Sequence, residues 1–168
     1  MNKNNYIRLA KKAASLQIKE LKKINRVFNK SFIEAVDLIL NCKGKVIFAG
    51  IGKSGLIAKK ISATFSSVGI PSFFCDPAQA LHGDMGQIEK RDILIIFSYS
   101  GNTSELSNML KYANRFRIKI IGVASKPESI LLKASDIKLV LPRVKESDVT
   151  GMVPTSSTTI SLLLGNCL

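Results

Sequence analysis

The chain has 168 residues, 46% of them apolar and 22% charged, with 25 Lys+Arg against 12 Asp+Glu for a formal net charge of +13. That length suits one domain with a core large enough to need no staples, and a mean hydropathy of +0.17 excludes a disordered polyelectrolyte. Three widely separated cysteines (Cys42, Cys75 and Cys167) and a single histidine exclude a disulfide framework and give a zinc site little to be built from, so no metal is expected.

No apolar run approaches the ~18 residues that span a bilayer. The opening stretch MNKNNYIRLAKKAAS lacks the apolar segment of a secretory signal, so a cytoplasmic protein with no membrane partner is expected. Residues 1–60 hold 14 Lys+Arg and 3 Asp+Glu, a net of +11, whereas residues 61–168 hold 11 and 9. Nineteen of the 25 cations are Lys, with no Arg cluster and no interleaved aromatics. The pattern suits a solvated helix face, and no nucleic-acid partner is expected.

Residues 1–44 read as a helical region. Ile7, Ala10, Ala14, Leu21, Ile24, Phe28, Phe32, Ala35 and Ile39 recur at helical spacing, on one long helix or two joined with a bend. Such a stripe exceeds what one core can cover, which predicts a homo-oligomer. Gly44 is suited to a left-handed helix C-cap. From residue 45 to 168 short apolar runs (Val46–Ile51, Ser72–Cys75, Ile93–Phe97, Ile118–Ala124 and Ile137–Leu141) alternate with helical stretches (Ser54–Val68, Thr103–Phe116, Glu128–Ala134 and Thr155–Leu168). Continuous apolar strands separated by helices predict a parallel five-stranded sheet in a three-layer α/β/α sandwich, with strand order 2-1-3-4-5. Asp76 to Lys90 reads as a long loop with a short helix.

Two loops carry the candidate chemistry. Gly50-Ile51-Gly52-Lys53-Ser54-Gly55 follows a strand and opens a helix, where glycines let an anion approach free N–H groups. With Asp76 near the end of the second strand, it also fits a dinucleotide fingerprint. It is not a Walker A loop, since Ile47 stands where that loop needs its first glycine. After the third strand, Ser98-Tyr99-Ser100-Gly101-Asn102-Thr103-Ser104-Glu105 offers hydroxyls, a glycine and another helix start. Two such loops flanking the switch point of the sheet predict a small phosphorylated ligand. A capping box from Asn102 to Glu105 would serve the following helix as well.

Together with PSFF, HGDMG and PTSSTT, the pair GIGKSG and SYSGNTSE resembles the sugar isomerase (SIS) domain of D-arabinose 5-phosphate isomerases over nearly the whole chain. The resemblance implies the five-stranded fold, a phosphorylated sugar as partner, no cofactor, and interconversion of D-arabinose 5-phosphate and D-ribulose 5-phosphate on the route to the lipopolysaccharide sugar Kdo. By that resemblance Gly52, Ser54, Ser98, Ser100 and Thr103 would hold the phosphate, and Lys53, Glu105, Glu146 and His82 would be catalytic. The chemistry fits these types, because aldose–ketose isomerisation needs a base and a cation for the enediolate oxygen. A carboxylate and a desolvated Lys53 supply both.

The resemblance further implies a tetramer. Full-length family members continue through a segment S-H-P-G-G-x-L-G to two CBS domains, so a C-terminally truncated SIS domain is expected. Leu162, Leu163, Leu164 and Leu168 would then leave bare apolar surface. Two other readings stand beside this one: a phosphosugar-binding module without catalysis, and an NAD-binding protein built on the Gly50–Gly55 loop.

Overall fold

The computed structural model describes residues 3–168; the first two residues of the helical region read over 1–44 lie outside them. Helix α1 spans Lys3–Leu21, a 3-10 segment covers Lys22–Val27, and α2 spans Lys30–Leu40. Asn29 starts α2 by accepting a hydrogen bond from Ser31 N at 2.9 Å, a side-chain cap of the ordinary kind. Beyond it β1 (Val46–Gly50), α3 (Gly52–Ser67), β2 (Ser72–Cys75), β3 (Ile93–Phe97), α4 (Leu106–Phe116), β4 (Lys119–Ala124), α5 (Ile130–Ala134), β5 (Ile137–Val140) and α6 (Ser156–Cys167) follow in order. Short 3-10 turns at Ala80–His82 and Asp84–Gln87 punctuate the β2–β3 connection.

The five strands are parallel in the order β2-β1-β3-β4-β5, as expected. Strands β1 and β3 are buried at every position, which is why both read as unbroken apolar runs. One face of the sheet packs against α2, α3 and α6 through Phe48, Ile95, Ile39, Ala58, Ile61 and Ile160. The other packs against α4 and α5 through Ile47, Leu94, Leu106, Met109, Leu131 and Leu132. The outer strand β5 differs, with Leu139 buried and Lys138 and Val140 exposed.

The single apolar stripe expected over α1 and α2 is split. Ile24, Ala35 and Ile39 are buried, but Ile7 is 59% exposed and Phe28 42%. A 3-10 segment turns three residues per revolution instead of 3.6, which shifts the phase between the two helices.

Gly44 is not a left-handed cap, since its φ is not positive. A Cβ there would lie 2.2 Å from Asp92 Oδ1 and 2.7 Å from Arg91 O, so the residue is glycine because β1 and β3 enter the sheet in close contact. The apolar end of α6 is not bare either. Leu164 is fully buried, and Leu162, Leu163 and Leu168 are partly buried against the same core. Among the described residues, no helix is long and apolar enough to cross a membrane.

Candidate phosphosugar site

At the C-terminal end of β1 the three glycines of the first loop have separate tasks. Gly52 opens α3 at φ +58, a left-handed conformation that costs an L side chain about 1 kcal/mol or more. A Cβ on Gly55 would meet Gly50 O at 2.5 Å, and one on Gly50 would meet Phe97 O at 2.8 Å. Strand, helix and neighbouring strand therefore touch through backbone, and Lys53 and Ser54 come out on the first turn of α3.

After β3 the second loop is organised by its own hydroxyls. Ser98, 5% exposed, accepts from Gly101 N at 3.1 Å and lies 2.9 Å from Thr103 Oγ1. Ser100 Oγ accepts from Asn102 N at 3.3 Å. Gly101 sits at φ +69 against Ser129, whose Oγ would be 2.2 Å from an added Cβ. Ser125 fastens the loop to the end of β4 by donating from N and Oγ to Tyr99 O, both at 2.8 Å.

The capping box does not form. Helix α4 starts only at Leu106 without a side-chain cap, and Asn102 Oδ1 accepts instead from Ile130 N at 3.0 Å, at the start of α5. Glu105 is exposed and accepts from Ser104 Oγ at 2.8 Å. Its own backbone N–H, followed by that hydroxyl, holds the carboxyl below its ordinary value.

The third wall comes from the irregular connection between β5 and α6. Glu146 Oε2 accepts from Thr155 N at 2.8 Å, Thr155 Oγ1 at 3.0 Å and Ser157 N at 3.2 Å. Burial alone would push this carboxyl up, but the hydrogen bonds from Ser157 and Thr155 outweigh it and hold the group below its ordinary value. The carboxylate thus caps the positive end of α6.

These three pieces enclose a cavity of about 360 Å³ at the C-terminal edge of β1 and β3. Lys53, Ser54, Ser98, Ser100, Thr103 and Glu146 line it together, with Gly52 next to them in the chain. Lys53 is exposed, not desolvated as the sequence suggested. Glu105 and His82 are not among the lining residues; His82 is exposed in the first 3-10 turn after β2. Asp76 lines a separate cavity with Cys75 and Asp84 and caps its own turn, accepting from Ala78 N at 2.9 Å.

The sequence did not single out Tyr99, Pro154, Ser157 and Thr158, which also line the site. Tyr99 lies inside the second loop motif, and Ser157 and Thr158 inside PTSSTT, hydroxyl-rich and at a helix start. That combination was the available signal. Tyr99 OH donates to Pro142 O at 3.1 Å and accepts from Val144 N at 2.8 Å, and burial pushes this phenol up.

A doubly wound parallel sheet with hydroxyl-rich loops and helix starts converging at its switch point is an α/β/α arrangement whose geometry suits a small anion. The profile of the SIS domain matches residues 39–168, and the chain belongs to that family. It is 40% identical over 168 residues, 100% of this chain and 52% of the relative, to an uncharacterized protein of Rickettsia prowazekii. It is 37% identical over 158 residues, 94% of this chain and 48% of the relative, to the arabinose 5-phosphate isomerase KdsD of Escherichia coli K12. The chain therefore spans about half the length of the curated relatives it matches. Among solved structures, c3406 of Escherichia coli CFT073 in complex with arabinose 5-phosphate superimposes with a TM-score of 0.94 at 34% identity, covering 99% of this chain and 89% of that one.

Proposed function

We propose that this SIS domain binds a phosphorylated sugar and interconverts its aldose and ketose forms, with D-arabinose 5-phosphate and D-ribulose 5-phosphate as the pair. The observation that carries the reading is the placement of a lysine and an ionised glutamate in one cavity with a hydroxyl-lined loop. The relatives named above supply the substrate class.

The phosphate would take hydrogen bonds from the hydroxyls of Ser54, Ser100 and Thr103 and from N–H groups at the start of α3. Ser98, committed to Gly101 and Thr103, would shape the loop as much as touch the ligand. Glu146 would remove the proton from C2 of the open-chain aldose. The released electron pair forms the C1–C2 double bond and leaves negative charge on O1, which Lys53 stabilises. Return of the proton to C1, with the O2 proton passing to O1, gives the ketose with no net oxidation or change of charge. Glu146 is preferred to Glu105 as the base because it faces the cavity. Roles for Glu105 and His82 rest on the family resemblance alone.

The test is transfer of solvent deuterium into arabinose 5-phosphate together with ketose formation. Wild-type protein should show both, and Lys53→Ala should lower kcat/KM by about 100-fold or more. Folded wild-type protein that binds the sugar phosphate yet gives neither signal would reduce the reading to a binding module.

A further inference from the structure

Helix α1 meets the body of the protein sparingly. Among its described side chains, Glu20 is the one that is buried, at 3% exposure. A carboxylate removed from water is costly unless it is bonded, and here both of its partners come to Oε2. Lys23 Nζ forms an ion pair with it, and Lys145 N donates to it at 2.9 Å.

Lys145 is the residue immediately before Glu146. On the other side of Glu146, Ser147 Oγ accepts from Gln17 Nε2 at 2.9 Å. Lys23 Nζ reaches Arg143 O as well, at 3.3 Å. Gln17, Glu20 and Lys23 are spaced by three along the chain, which puts them on neighbouring positions of one face. The segment they grip has no regular structure from Leu141 to Thr155; within it Ser147 N donates to Thr155 Oγ1 at 2.8 Å, and the backbone N–H just before Glu146 is held from outside the segment by Glu20.

We propose that Glu20 is a positioning residue: by accepting the Lys145 N–H it holds the backbone at Glu146 so that the Glu146 carboxylate stays in the donors of Thr155 and Ser157 and faces the cavity. The catalytic part of this inference rests on the isomerase reading above. An acid is a poor choice for stability at this position, since an apolar residue of similar volume would cost no desolvation. What the acid supplies instead is a short, directed, charge-assisted bond to a single N–H. Tyr99 grips the same segment from the opposite side through Pro142 and Val144. Glu146 is therefore set between two anchors, one on α1 and one in the loop after β3.

The test compares Glu20→Ala with Glu20→Gln in the full chain, using two readouts. The first is the titration of the Glu146 carboxyl, followed by carbon NMR in protein labelled at glutamate carboxyls and assigned by its loss in Glu146→Gln. The second is turnover of arabinose 5-phosphate. Glu20→Ala should move the Glu146 titration up toward the ordinary carboxylate value and lower kcat by about 10–100-fold, with KM changed by less than about threefold. Glu20→Gln keeps an amide oxygen that accepts from Lys145 N, and it should restore both readouts to within about threefold of wild type.

An unchanged Glu146 titration in folded Glu20→Ala overturns the proposal. So does a loss of kcat, sugar-phosphate binding and cooperative unfolding together in both variants, which would make Glu20 a general stabiliser. If wild-type protein does not turn the sugar over, the isomerase reading fails, while the NMR titration still decides whether Glu20 positions Glu146.

Discussion

Glu146 meets two demands that often conflict: it is half-buried beside a cavity, yet stays ionised because Thr155 and Ser157 donate to it. A carboxyl held below its ordinary value loses its charge only as pH falls through that lowered value. The acid limb of kcat/KM should therefore lie below the usual carboxylate range. Thr155→Val removes the hydroxyl donor at 3.0 Å and should move that limb to higher pH, because one bond to the charged form is gone. A pH–rate profile of both proteins checks this, and coincident limbs would separate Thr155 from the titrating group.

Lys53 lies inside the glycine-rich loop motif, and Glu146 was singled out through the family resemblance. Glu20 was not: an acid in a lysine-rich helix reads as solvated, and its meaning lies in a partner 125 positions away.

At the scale of elements, β2 and β3 begin and end where the apolar runs do, since burial on both faces writes itself directly into composition. Helix starts were less legible. Thr103 looked like the beginning of α4, but the hydroxyls from Ser98 to Thr103 satisfy one another and delay the helix to Leu106. Gly44 shows the same limit, because a glycine that follows a helix and one that lets two strands converge look alike in sequence.

The structure makes the difference measurable. Gly44→Ala places a methyl on Asp92, whose carboxylate accepts from Lys45 N at 2.7 Å and from Glu89 N at 2.8 Å. Breaking those bonds to a buried acid should cost about 1–3 kcal/mol, read by urea unfolding. A Gly44→Ala protein as stable as wild type would show that the entry of β1 and β3 tolerates a Cβ at this position.

At the scale of the molecule, the two halves of the charge distribution separate cleanly. Arg8, Lys11, Lys12, Lys19, Lys22, Arg26 and Lys30 are all exposed on the helical region. The lining of the cavity instead carries a single lysine and several hydroxyls. Topology was legible because five apolar runs separated by helices leave few chain paths once crossovers must be right-handed. The path of the β5–α6 connection was not, since it is fixed by side chains from α1 and the loop after β3.

The outer strand β5 has a consequence beyond the site. It is bonded to β4 along one side and carries an exposed Lys138 two residues before an exposed Val140. A charge there discourages another molecule's strand from adding to the sheet edge. Lys138→Val should leave the unfolding midpoint nearly unchanged while light scattering rises with protein concentration and time. Unaltered scattering would show that α2, which packs beside β5, already shields the edge. Raised scattering would instead make an exposed lysine outside the core the side chain that keeps separate molecules from joining their sheets.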